Sequence, residues 1–229
     1  PGDSLSRFYQ KSAKAANKPI VMKPEKTSKI HLKVCGMRDP ANIAALIALE
    51  PDFIGFIFHE LSPRYCNRPP ETAIPESIGK AGVFFNKQED YIFQKKETFH
   101  LDYIQLHGSE SPEFCQKIRQ SVAPVIKAFN VNDNFDFNRL EAYASGCDFF
   151  LFDASGPKAG GNGITFNWEL LEKYHGTTPF LLSGGIDENM TEAIRNISHP
   201  AFYGVDINSR FEIRPAVKNI NKIKHFKHE

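Results

Sequence analysis

The chain has 229 residues, 41% hydrophobic and 24% charged, proportions that exclude a disordered, collagen-like or disulfide-scaffold protein. Lys plus Arg number 28 against 27 Asp plus Glu, so a formal charge of +1 makes no case for a nucleic-acid or anionic-membrane partner. No apolar run is long enough to span a bilayer, and Cys35, Cys66, Cys115 and Cys147 lack metal-ligand spacing; the expected setting is a reducing cytosol, hence a cytoplasmic protein.

Residues 1–29 stand apart. They carry seven Lys/Arg and two Asp/Glu, a net of +5 that leaves −4 for the remainder. They have neither apolar periodicity nor the apolar core of a secretory signal. A disordered extension or an added remnant is expected, with an organellar address as the alternative. A start at Pro rather than Met fits a processed or trimmed piece.

From Ile30 onward, strand-length apolar runs recur: HLKVC (31–35), FIGFIF (53–58), AGVFF (81–85), YIQL (103–106), PVIKAF (124–129), DFFLFD (148–153), FLLSG (180–184) and FYGVDI (202–207). Each is rich in β-branched or aromatic residues and bounded by Gly, Pro or polar clusters. The spacing leaves room for a helix after each strand, which implies parallel pairing through crossovers. Asp39-Pro40 and Ser111-Pro112 each offer an N-cap followed by Pro in the first turn. Asp187 opens a third helix over ENMTEAIRNI, and PAVKNINKIKHF (215–226) reads as the last. After FLFD a glycine-rich stretch replaces the helix as far as Asn167. Residues 30–229 are therefore expected to form one α/β domain, a (β/α)8 TIM barrel, although an open doubly wound sheet would use the same alternation.

In a barrel, catalytic groups sit at the C-terminal ends of strands, and several runs end in reactive residues. Lys33 and Cys35 share a face of the first strand, about 6.6 Å apart, where an ammonium would favour the thiolate. A small buried hydrophobe is the plainer account of Cys35. Asp153 ends the sixth strand and opens a loop with Gly156, Gly160, Gly161 and Gly163, a segment able to fold over a ligand. The seventh strand ends in Gly184-Gly185 and the eighth in Asp206-Ile207-Asn208-Ser209, where many barrels hold a phosphate. A tight turn at the glycines and simple capping at Asn208 and Ser209 are compatible alternatives.

Taken together, KVCGMRDPANI (33–43), SPRY (62–65), GVFFN (82–86), IQLHG (104–108), LFD (151–153), GGNGITFNW (160–168), LSGG (182–185) and VDINSRFE (205–212) resemble the phosphoribosylanthranilate isomerase family. The resemblance implies an Amadori rearrangement of an aminoaldose to an aminoketose in tryptophan biosynthesis, with no metal and no organic cofactor. It makes Cys35 the general base and Asp153 the general acid. It gives Arg64 the anthranilate carboxylate, turns Asp206 toward the ribose, and assigns the phosphate to Gly184, Gly185, Asn208 and Ser209. His107 is expected to be a hydrogen-bonded structural histidine. The implied partner is a small phosphosugar, on a monomer or homodimer. The chain departs from the family at Asn208-Ser209-Arg210, where a small pair and Gly are usual. The alternatives are the histidine-pathway aminoaldose isomerisation, which typically uses two aspartates, a non-catalytic phosphosugar- or partner-binding barrel, and a fragment of a fused enzyme.

Overall fold

A computed structural model of the chain describes residues 29–154 and 168–228. The expected extension up to residue 28 and the glycine-rich loop after Asp153 fall outside the described residues. Lys29, counted with the extension, pairs with Asp52 at 2.7 Å.

All eight apolar runs are strands: β1 (His31–Val34), β2 (Phe53–Ile57), β3 (Gly79–Phe84), β4 (Tyr103–Leu106), β5 (Val125–Asn130), β6 (Phe149–Asp153), β7 (Phe180–Ser183) and β8 (Phe202–Ile207). They pair in parallel in chain order and close into a barrel. Closure comes from β1 lying beside β8, with Lys33 opposite Asp206 and Val34 opposite Ile207. An open doubly wound sheet is thereby excluded.

Alternation along the strands sorts side chains into two clusters. Ala81, Ile126, Ala128, Leu151 and Leu181 pack inside the barrel, with Tyr103, Phe149 and Tyr203 beneath them. Their strand neighbours, among them Val125, Phe129, Phe150, Phe152 and Leu182, join the larger layer between strands and helices. Small and branched interior residues leave space, and the polar pair Lys33–Asp206 occupies part of it.

The connections are less regular than the spacing suggests. Helix α1 (Pro40–Ile47) is capped by Asp39, which accepts from the Asn42 N–H. Helix α2 (Glu89–Phe99) follows β3, and α3 (Pro112–Ser121) follows β4, capped by Ser111. Among the described residues no helix joins β2 to β3; Pro63, Pro69, Pro70 and Pro75 interrupt that stretch, and proline breaks a helix interior. Residues Phe137–Gly146 and Trp168–Lys173 form 3-10 helices in place of α-helices. The segment after Asp187 begins as a 3-10 turn and yields only the short α4 (Thr191–Arg195).

The last helix starts later than expected. Pro215, Ala216 and Val217 belong to a hairpin between β9 (Glu212–Arg214) and β10 (Val217–Lys218), with Ala216 in the left-handed region at φ 65°. Helix α5 (Ile220–His228) begins behind Asn219, whose side chain accepts from the Lys222 N–H at 3.1 Å. Asn42 fixes the hairpin by accepting the Lys218 N–H at 2.7 Å and donating to its carbonyl at 2.9 Å. No described helix is long and apolar enough to cross a membrane.

Candidate active site

Cys35 emerges at the C-terminal end of β1, its N–H donating to the Ile207 carbonyl at 2.9 Å. A Cβ at Gly55 of the adjacent β2 would lie 2.8 Å from Cys35 Sγ, so glycine there leaves room for the sulfur. Two positions earlier, Lys33 is fully buried and its Nζ donates to Asp206 Oδ2 at 2.8 Å. Burial works against the lysine's charge, but Asp206 and Cys35 outweigh it and hold the Lys33 pKa above its ordinary value. Burial also raises the Asp206 pKa, and Lys33 offsets only part of that rise.

The expectation that Lys33 would make Cys35 a ready thiolate is corrected. Cys35 is 4% exposed, and burial pushes the thiol pKa up; Asp206 adds to the rise, against the opposing pull of Lys33 and Lys218. Desolvation of a charge outweighs one neighbouring cation that is itself neutralised by a carboxylate.

Asp153 ends β6, three strands from β1 around the rim by way of β8 and β7. Its Oδ2 lies 3.3 Å from His107 Nε2, and His107 Nδ1 lies 3.0 Å from Gln105 Nε2. A Cβ at Gly184 would come 2.6 Å from Asp153 Oδ1, which ties the glycine to the carboxylate's position. Asp206 sits electrostatically between the two ends of the site, sensing Lys33 on one side and His107 and Asp153 on the other. Asp206 Oδ1 and Gln105 Oε1 are buried and have no hydrogen-bond partner among the described residues. Two orphaned acceptors toward the C-terminal ends of β4 and β8 suit a ligand with donor groups.

The other expected residues gather at the same rim. Gly184 and Gly185 adopt positive φ, 88° and 69°, as a tight turn requires. No described atom lies within 4 Å of a Cβ built at Gly185, so this turn borders open space. Ser209 starts a single 3-10 turn, Ser209–Phe211. Asn208 does not cap it: its Oδ1 accepts from Lys218 Nζ at 2.6 Å. Arg64 is no free surface arginine, since its Nε and one terminal nitrogen grip Glu212 at 2.9 and 2.5 Å. Glu212 raises the Arg64 pKa, and with Lys218 it forms a second ion pair at 2.7 Å.

Lys218 and Glu212 were not anticipated. The only signal was Glu212 closing the VDINSRFE motif; Lys218 was hidden in a segment read as helix. His107 was placed by its motif, but contact with Asp153 across 46 positions has no local signature. At the opposite, N-terminal end a cavity of about 690 Å³ is lined by His31, His199 and Tyr203 among others. Both His199 nitrogens are bonded to backbone and His31 is paired with Asp52, so these two histidines serve structural contacts among the described residues.

The chain is similar to known proteins in sequence and fold. A family model described as N-(5'phosphoribosyl)anthranilate (PRA) isomerase matches residues 32–229. An N-(5'-phosphoribosyl)anthranilate isomerase of Parabacteroides distasonis is 46% identical over 200 residues, covering 85% of this chain and 90% of the relative. The crystal structure of phosphoribosyl anthranilate isomerase from Thermotoga maritima superposes with a TM-score of 0.73 at 28% identity, over 86% of this chain and 97% of that one. A phosphoribosyl anthranilate isomerase solved with reduced 1-(o-carboxyphenylamino)-1-deoxyribulose 5-phosphate gives 0.70 at 25% identity, over 87% and 97%. The chain belongs to the N-(5'-phosphoribosyl)anthranilate isomerase family.

Proposed function

We propose that this isomerase converts N-(5'-phosphoribosyl)anthranilate to 1-(2-carboxyphenylamino)-1-deoxyribulose 5-phosphate in tryptophan biosynthesis, with Asp153 as general acid and Cys35 as general base. Asp153 gives its proton to the furanose ring oxygen, the C1–O bond breaks, and the anilino nitrogen's lone pair forms the C1 iminium ion. The Cys35 thiolate then removes the proton on C2, and that electron pair neutralises the iminium as an enolamine. Protonation at C1 and loss of the enol proton give the aminoketose, so the step is redox-neutral.

Gln105 Nε2 donating to His107 Nδ1 leaves the imidazole proton on Nε2, facing Asp153 Oδ2. His107 thus positions the carboxyl group that carries the transferable proton. Arg64 receives the anthranilate carboxylate, Asp206 Oδ1 takes a ribose hydroxyl, and the Gly184-Gly185 and Asn208-Ser209 turns receive the phosphate through backbone N–H groups. Four free thiols among the described residues suit a reducing cytoplasm. One observation carries the reading: a buried thiol and a histidine-held carboxyl end strands on one rim, joined through Asp206.

The test follows loss of anthranilate fluorescence when purified protein meets freshly made substrate. Turnover is expected for the wild-type chain, with Cys35→Ser and Asp153→Asn each slower by about 10²–10⁴-fold while affinity for the reduced product analogue survives. Near-wild-type rates in both variants would refute the assigned roles.

A further inference from the structure

The grip of Glu212 on Arg64 poses a charge problem. A guanidinium forked onto a carboxylate is a neutral pair, a poor receptor for a second carboxylate. Lys218 resolves it. Its Nζ lies 2.7 Å from Glu212 Oε1 and 2.6 Å from Asn208 Oδ1, and its side chain is fully buried. Asn42 clamps the Lys218 backbone from both sides, so the ammonium is held by the fold. The three charged groups, Arg64, Glu212 and Lys218, sum to +1. They also abut the base, for a Cβ on Gly36, next to Cys35, would lie 2.8 Å from Arg64 Cδ and 2.9 Å from Asn208 Oδ1.

We propose that Lys218 is a positioning residue that cancels the Glu212 charge, so that Arg64, fixed in orientation by its fork, still presents net positive charge to the substrate's aromatic carboxylate. Glu212 supplies the geometry and Lys218 restores the field. Burial lowers the Lys218 pKa and Glu212 opposes the fall, while Arg64 and Lys218 overcome burial to keep the Glu212 pKa below the ordinary range. Glu212 is therefore ionised and does need a second cation. The inference rests on Arg64 being the carboxylate receptor, which the first arm of the experiment checks separately.

The experiment measures binding of reduced 1-(o-carboxyphenylamino)-1-deoxyribulose 5-phosphate and of the same compound lacking the carboxyl group, with a thermal melt of every variant. Arg64→Met should weaken only the carboxylate ligand; equal binding of both ligands would remove Arg64 from the proposed function, apart from any role of Lys218. Given that loss, Lys218→Met should weaken the carboxylate ligand about tenfold or more and leave the decarboxylated ligand within about twofold. Lys218→Arg should restore binding. The double variant Lys218→Met/Glu212→Gln leaves Arg64 unopposed, so it should recover most of the lost affinity, a rescue that a merely structural lysine would not give. Glu212→Gln alone keeps both cations, and its amide oxygen still accepts from Arg64 and holds its orientation, so it should bind the carboxylate ligand at least as tightly as wild type. Equal losses for both ligands in Lys218→Met, no recovery in the double variant, or weakened carboxylate binding in Glu212→Gln would overturn the proposal.

Discussion

Cys35 shows how a residue type recognised in a sequence can be right in place and different in state. Its position two residues beyond Lys33 on one strand face was legible, because alternation fixes it. The sign of its pKa shift was not, because it depends on groups far along the chain: Asp206 at 173 positions from Lys33, and Lys218 behind a hairpin. Among the described residues Lys33, Asp206, Lys218 and Arg64 act on the sulfur, and burial is the largest influence. A thiol whose pKa is raised is mostly protonated at neutral pH, so the thiolate forms only as pH climbs. The ultraviolet absorbance of the Cys35 thiolate, taken as the difference from Cys35→Ser, should therefore keep rising past the ordinary thiol value of about 8.5. A plateau already reached near pH 7 would mean that the thiolate is preformed.

Strand starts and caps were legible because each is set by a few adjacent residues: the Asp39 and Ser111 caps formed where their Pro-containing signals stood. The hairpin at Glu212–Lys218 was not, since Val217 and Ile220 fit a helical stripe while the tertiary anchor, Asn42, lies 176 residues away. Two elements owe their placement to single ionic anchors. Lys127, on the outer side of β5, donates to the Leu106, Gly108 and Ala128 carbonyls and to Glu110, whose carboxylate also accepts the Asn86 and Gly108 N–H groups. This knot fixes the loops after β3 and β4, and with them His107. Lys127→Met should cost about 3 kcal/mol in urea unfolding, because a buried carboxylate loses its cation; a change under about 1 kcal/mol would contradict that role.

At the start of β2, Asp52 accepts from Lys29, His31 and the Leu32 N–H. Burial opposes its charge, but these donors prevail and hold the carboxyl well below the usual carboxylate range. Its stabilisation is thus fully present above the unfolded value of about 3.9 and fades as pH falls through the lower folded value. Asp52→Asn should be less stable than wild type at pH 7, with the gap closing under strong acid. A gap that stays constant down to pH 2 would show that the charge is irrelevant.

For the molecule as a whole, closure of the barrel converts eight separate strand ends into one site. β1 and β8 meet at Lys33 and Asp206, and the same rim brings Arg64, Asp153 and the Gly184-Gly185 turn together. The repeat of strand and connection made this architecture readable, and the strand-end residues made the rim readable. What escaped were partners across the mouth, which no local spacing encodes. The account stands on a division of labour in time: the carboxyl opens the ring, then the thiolate takes the C2 proton. Substrate deuterated at C2 measures this directly through the isotope effect on kcat. Cys35→Ser should show an enlarged effect, with C2–H cleavage limiting the rate, and Asp153→Asn should show an effect near unity, with ring opening limiting. The reverse pattern, or equal effects in both variants, would contradict the assignment of acid and base.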